Sequence, residues 1–90
     1  MNGKDTGNKR TYPVASGAGL DIDATGLLCP LPVLRLRKAL AAALPGTRIC
    51  LRATDPASRI DVPHFCNESG HRLIEAGEEN GAFIYLVEAT

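Results

Sequence analysis

The sequence predicts a two-layer α/β (α+β) sandwich of order βαβαββ, with two helices packed on one face of a four-stranded mixed sheet. Three observations carry that expectation. Leu20, Ile22 and Ala24 alternate with Asp21 and Asp23, the pattern of a strand with one buried face. A glycine-free run with apolar residues at helical spacing then extends from Pro30 to Leu44. Near the C-terminus, Asn80-Gly81 separates two apolar stretches and is a strong hairpin signal.

The elements follow in order. Residues 1–19 are rich in Gly, Asn, Lys and Thr and show no periodicity, so they are expected to form a disordered polar tail, leaving residues 20–90 as the single folded domain. After the first strand, Thr25-Gly26 turns the chain. Cys29-Pro30-Leu31-Pro32 opens the first helix, because prolines fit a first turn whose N–H groups have no helical partner. Val33, Leu36, Leu40, Ala43 and Leu44 form its apolar stripe, and Pro45-Gly46 ends it near Leu44. Arg48–Ala53 reads as the second strand, with Ile49, Leu51 and Ala53 inward and Arg48, Cys50 and Arg52 outward. Asp55-Pro56 and Asp61-Val62-Pro63 are both helix-start signals with the aspartates as candidate caps, and the second helix runs to about Ser69, where Gly70 stops it. His71–Ala76 and Ala82–Glu88 then make the terminal hairpin.

The strand–helix–strand crossover makes the first two strands parallel, so their C-terminal ends share one edge of the sheet. The loop carrying Cys29 and the loop 54–61 should therefore be neighbours, at the edge where α/β folds place ligands and reactive groups.

Composition excludes several classes. The chain has ninety residues, ten basic and ten acidic, and so lacks the basic excess of a dedicated nucleic-acid binder. Its four aromatic residues, Tyr12, Phe65, Phe83 and Tyr85, are too few for stacking on bases, so direct nucleic-acid contact is not expected. No apolar run reaches membrane length and the N-terminus has no signal-like apolar region, so a cytoplasmic location without membrane contact is expected. The three cysteines, Cys29, Cys50 and Cys66, are odd in number, far apart and without a Cys-x-x-Cys pair, as suits free thiols in a reducing compartment.

Cys29 is the candidate reactive group. A helix N-terminus presents unpaired N–H groups and a partial positive charge, both of which favour the nucleophilic thiolate. Pro30 and Pro32 stiffen that turn after Gly26, and Arg35, Arg37 and Lys38, one to two turns on, would attract an acidic partner. An arbitrary free cysteine is more often a small apolar core filler. A Cys-Pro-x-Pro helix start reverses that balance. With no resolving thiol beside it, Cys29 suits a carrier, since an adjacent thiol would discharge a persulfide as a disulfide. No metal or other cofactor is needed.

The stretch from Asp23 through Cys29-Pro30-Leu31-Pro32 to Leu34 closely resembles the active-site segment of the TusA/SirA-like sulfurtransferases. The resemblance continues through Arg37–Leu40, Pro45-Gly46, Asp55–Ser58, Asp61-Val62-Pro63 and Phe65-Cys66, covering about residues 20–88. It implies that Cys29 accepts sulfane sulfur as a persulfide from a cysteine desulfurase or rhodanese-type donor and passes it to a cysteine of a downstream acceptor protein. The destinations it implies are tRNA thiolation, sulfur oxidation or cofactor biosynthesis, and the implied fold is the sandwich derived above.

The remaining polar groups have plainer readings. Asp55, Arg59 and Asp61 share the presumed edge with Cys29; helix capping and a surface ion pair account for them, and the sharper alternative is that Arg59 orients a partner or the persulfide. Cys66 falls on a core stripe, while Cys50 is either incidental or part of a partner surface. His64, His71 and Cys66 match no zinc spacing. Ile84 and Leu86 should lie on the uncovered face of the sheet, a candidate contact surface. Two other functions compete with sulfur carriage: a non-catalytic regulatory or RNA/protein interaction module, and a redox sensor pairing Cys29 with Cys50 or Cys66. The C-terminal domain of translation initiation factor 3 shows that similar layers serve other ends.

Overall fold

The computed structural model describes residues 19–90, and the expected tail lies outside them apart from Gly19, whose N–H already donates to the Arg48 carbonyl at 2.7 Å. The element order is β1 (Leu20–Ala24), α1 (Leu31–Ala41), β2 (Arg48–Ala53), α2 (Ser58–Ser69), β3 (Arg72–Glu79) and β4 (Ala82–Glu88). The strands form one sheet in the order β1-β2-β4-β3, with β1 and β2 parallel and the other pairs antiparallel. Among the described residues no helix is long and apolar enough to cross a membrane.

The main core lies between the sheet and the two helices. Ala24, Ile49, Leu51, Tyr85 and Val87 of the strands meet Leu36 and Leu40 of α1 and Val62 and Cys66 of α2. These are the positions that period-2 and period-3.6 patterning select, so burial of one face of each element drives the assembly.

Four expectations change. First, α1 ends at Ala41, and Leu44 is 78% exposed rather than part of the stripe. The Pro45 ring disfavours helical backbone at the residue before it, which unwinds the last turn. Second, α2 begins at Ser58 and carries Pro63 inside it, so Asp61-Val62-Pro63 does not start the helix and Asp61 does not cap it. The missing Pro63 N–H leaves the carbonyl of exposed Arg59 without its helical partner, a modest cost at a solvated position. Third, β3 extends to Glu79, so the hairpin closes through Asn80-Gly81 alone, with both residues at positive φ as a type I′ turn requires.

Fourth, the second face of the sheet is not an exposed contact surface at Ile84 and Leu86, which are 0% and 2% exposed. They form a second cluster with Cys50 and Ala82, and Ile74 packs against it. The central strands β2 and β4 set Cys50 and Leu86 opposite each other, and an irregularity in β3 between Leu73 and Glu75 brings in Ile74. Cys50, expected to point outward, is therefore buried.

Candidate functional site

The register Leu20↔Ile49 to Ala24↔Ala53 makes β1 and β2 end side by side. The chain leaves β1 through a turn held by Asp23, whose Oδ1 accepts from the Thr25 N–H at 3.1 Å and the Thr25 hydroxyl at 2.7 Å. Those hydrogen bonds hold the Asp23 carboxyl below its usual pKa. Gly26 follows at φ 83°, a conformation that side-chained residues rarely adopt, and its N–H donates to Thr54 Oγ1 at 2.9 Å. The loops after β1 and β2 are thus tied together, as the parallel pairing predicts.

Cys29 lies in the first of these loops, exposed, one residue before the N-cap Pro30. Its backbone N–H donates to Asp55 Oδ2, while Asp55 Oδ1 accepts from the Ala57 N–H at 3.2 Å. One carboxylate therefore holds both loops. The Cys29 thiol donates to Asp61 Oδ2 at 2.8 Å. Asp61 sits half-buried in the first turn of α2, so three segments converge on one sulfur.

The electrostatics correct the sequence expectation. The Cys29 thiol is pushed above the usual thiol pKa, chiefly by its hydrogen bond to Asp61, then by partial desolvation and by the charges of Asp61 and Asp55. A helix pole is worth about half an elementary charge, and it cannot outweigh a full carboxylate charge at hydrogen-bond distance. The pole is also partly spent: the Leu31 N–H bonds to the Leu28 carbonyl at 2.8 Å, and Pro32, buried at the second helical position, has no N–H.

The basic residues divide around α1. Arg35 and Lys38 line a concavity of about 420 Å³ with Ile22 and Ala39, while Arg37 lies with His64, Phe65, Glu68 and Ser69 on another side. Arg59 places its guanidinium 5.6 Å from the centre of the Phe83 ring, a cation–π contact. His71 Nδ1 accepts from the Thr90 N–H at 3.1 Å, Cys66 is buried, and among the described residues no group of three His, Cys, Asp or Glu is placed to hold a metal ion. Burial also raises the Cys66 thiol pKa and keeps it protonated.

Sequence reasoning missed two groups. Thr54 and the buried pair of Ser58 Oγ and Tyr85 OH, 2.8 Å apart, join segments remote in sequence, and no local motif announces them. Leu28 and Leu31, flanking Cys29-Pro30, and Ile60, beside Asp61, are exposed. They are chain neighbours of Cys29-Pro30 and of Asp61, and apolar residues flanking the motif are the signal that could have found them.

Fold and site define a class: a small two-layer domain that displays one thiol at the joined ends of two parallel strands and keeps its other thiols inside. The chain belongs to the sulfurtransferase TusA family, whose model matches residues 20–89. The sulfur carrier protein TusA of Pseudomonas aeruginosa (strain UCBPP-PA14) is 44% identical over 66 residues, covering 73% of this chain and 84% of the relative. The protein of the same name from Pseudomonas putida (strain GB-1) is 42% identical over 66 residues, covering 73% and 82%. Among solved structures, the SirA-like protein of Desulfitobacterium hafniense superposes with a TM-score of 0.70 at 29% identity, covering 78% of this chain and 96% of that one.

Proposed function

We propose that the protein is a sulfur carrier that holds sulfane sulfur as a persulfide on Cys29 and moves it between partner proteins. The observation that carries this reading is that Cys29 is the exposed thiol of the three, set in a Cys-Pro-x-Pro turn that three segments hold in place. Loading is the persulfide form of thiol exchange: Cys29 Sγ attacks the outer sulfur of a donor persulfide and the donor thiol leaves. Delivery is the same step run towards an acceptor cysteine.

Three features support transfer from protein to protein. The exposed Leu28, Leu31 and Ile60 offer apolar surface around the sulfur for a docked partner. Arg35, Arg37 and Lys38 are exposed and spread over α1, where they can meet acidic surface. Cys50 and Cys66 are buried, so a loaded Cys29 meets no resolving thiol of its own chain. The same burial weighs against a redox sensor, which needs an accessible second thiol. On this reading the donor is a cysteine desulfurase or a rhodanese-type protein, and the acceptor presents a free cysteine.

Mass spectrometry tests the assignment. After incubation with a cysteine desulfurase and cysteine, the wild type should gain the mass of one sulfur atom, and a reductant should remove it. Cys29→Ser should show no gain, whereas Cys50→Ser and Cys66→Ser should load normally. Loading of Cys29→Ser would overturn the assignment.

A further inference from the structure

Among the described residues, Asp61 is the side chain within hydrogen-bond distance of the Cys29 sulfur. The two carboxylates at this site do different things. Asp55 spends both oxygens on backbone N–H groups, of Cys29 and of Ala57, and so shapes the loops. Asp61 Oδ2 accepts from the sulfur itself at 2.8 Å, from a rigid helix and from a half-buried position. Among the described residues it neither caps α2 nor pairs with a cation, so helix capping and a surface ion pair leave its placement unexplained.

We infer that Asp61 is the proton acceptor and donor for Cys29 in sulfur transfer, a role that rests on the carrier reading above. The resting thiol is protonated, so attack needs a base, and a group that touches the attacking atom meets the geometric requirement for one. As Cys29 Sγ bonds to the outer sulfur of a donor R–S–SH, its proton passes to Asp61. The donor's inner S–S bond breaks, and R–S leaves with the electron pair. Asp61 then returns the proton to that sulfur. The sum is Cys29–SH plus R–S–SH giving Cys29–S–SH plus R–SH, with no external oxidant or reductant. In delivery the roles reverse: Sγ is the leaving sulfur, and protonated Asp61 stands beside it to reprotonate it.

The charged groups facing the sulfur are Asp61 from α2 and Asp55 from the loop after β2. Both are acidic, so at rest they suppress the thiolate, and the free carrier should be slow towards small electrophiles. This gives the proposal a signature that a structural role would not produce. In Asp61→Asn, loss of the charge should speed alkylation by iodoacetamide near pH 7. More thiolate, offset by the weaker nucleophilicity of a more acidic thiol, leaves a net gain of about threefold. The same variant should accept sulfur from a desulfurase at least about tenfold more slowly, in kcat rather than KM, because its base is gone. Asp61→Glu, which keeps a carboxylate, should recover part of the transfer rate.

Equal transfer rates in wild type and Asp61→Asn, with normal loading of both, would overturn the role of Asp61 alone. So would a parallel fall in alkylation and transfer. Wild type that takes up no sulfur would overturn the carrier reading and this role with it. A check that needs no variant is the pH profile of wild-type alkylation: a midpoint at or below that of free cysteine would also refute the proposal.

Discussion

Asp55 shows how one side chain can set a site without touching the reacting atom. Its two oxygens accept N–H groups from two loops, so the carboxylate fixes where Cys29 begins. Ser58 plays a similar part beneath it. As the first residue of α2, it pairs with the Tyr85 hydroxyl of β4 and anchors the helix that carries Asp61. Tyr85 is 3% exposed, so Ser58→Ala would leave its hydroxyl buried and unpaired, at a cost of about 1–3 kcal/mol. Urea unfolding should show this as a lower midpoint with an unchanged slope, and adding Tyr85→Phe should recover most of the loss, because removing both polar partners is nearly neutral. At this scale Cys29 and the presence of Asp55 and Asp61 at its edge were legible in the sequence. Their division of labour was not, since the bond to Asp61 joins residues 32 apart in the chain.

Among the elements, the most local signals read best. Asn80-Gly81 closes β3 onto β4 with φ values of 51° and 82°, and glycine adopts the second without penalty. Gly81→Ala should cost about 1–2 kcal/mol, seen as a lower Tm. The end of α1 and the start of α2 read less well, because each is decided by competition. Pro45 outweighs the helical preference of the alanines before it, while tertiary packing of Val62 and Cys66 carries α2 across Pro63. The β3 irregularity at Ile74 has no sequence mark, because a bulge answers to the strand beside it.

For the molecule as a whole, the parallel pairing of β1 and β2 matters most, since it brings the two loops of the site to one edge. That pairing depends on α1 packing back over both strands, and Leu36 is its fully buried contact. Leu36→Ala should cost about 2–5 kcal/mol, a large share of the stability of a domain this small. Calorimetry should register the loss as a much lower Tm, together with weaker sulfur loading at temperatures where the domain is partly unfolded. The sequence by itself determined the order of elements, the buried faces of β1, β2, β4 and both helices, and the place of Cys29 at the start of α1, because each is written in local periodicity or in a motif a few residues long. Tertiary structure alone decided that the other sheet face buries Cys50, Ile84 and Leu86, and that a carboxylate from α2 holds the thiol proton. Both come from segments far apart in the chain that meet only on folding, and at the sulfur the full charge brought by folding prevails over the partial charge implied by the motif.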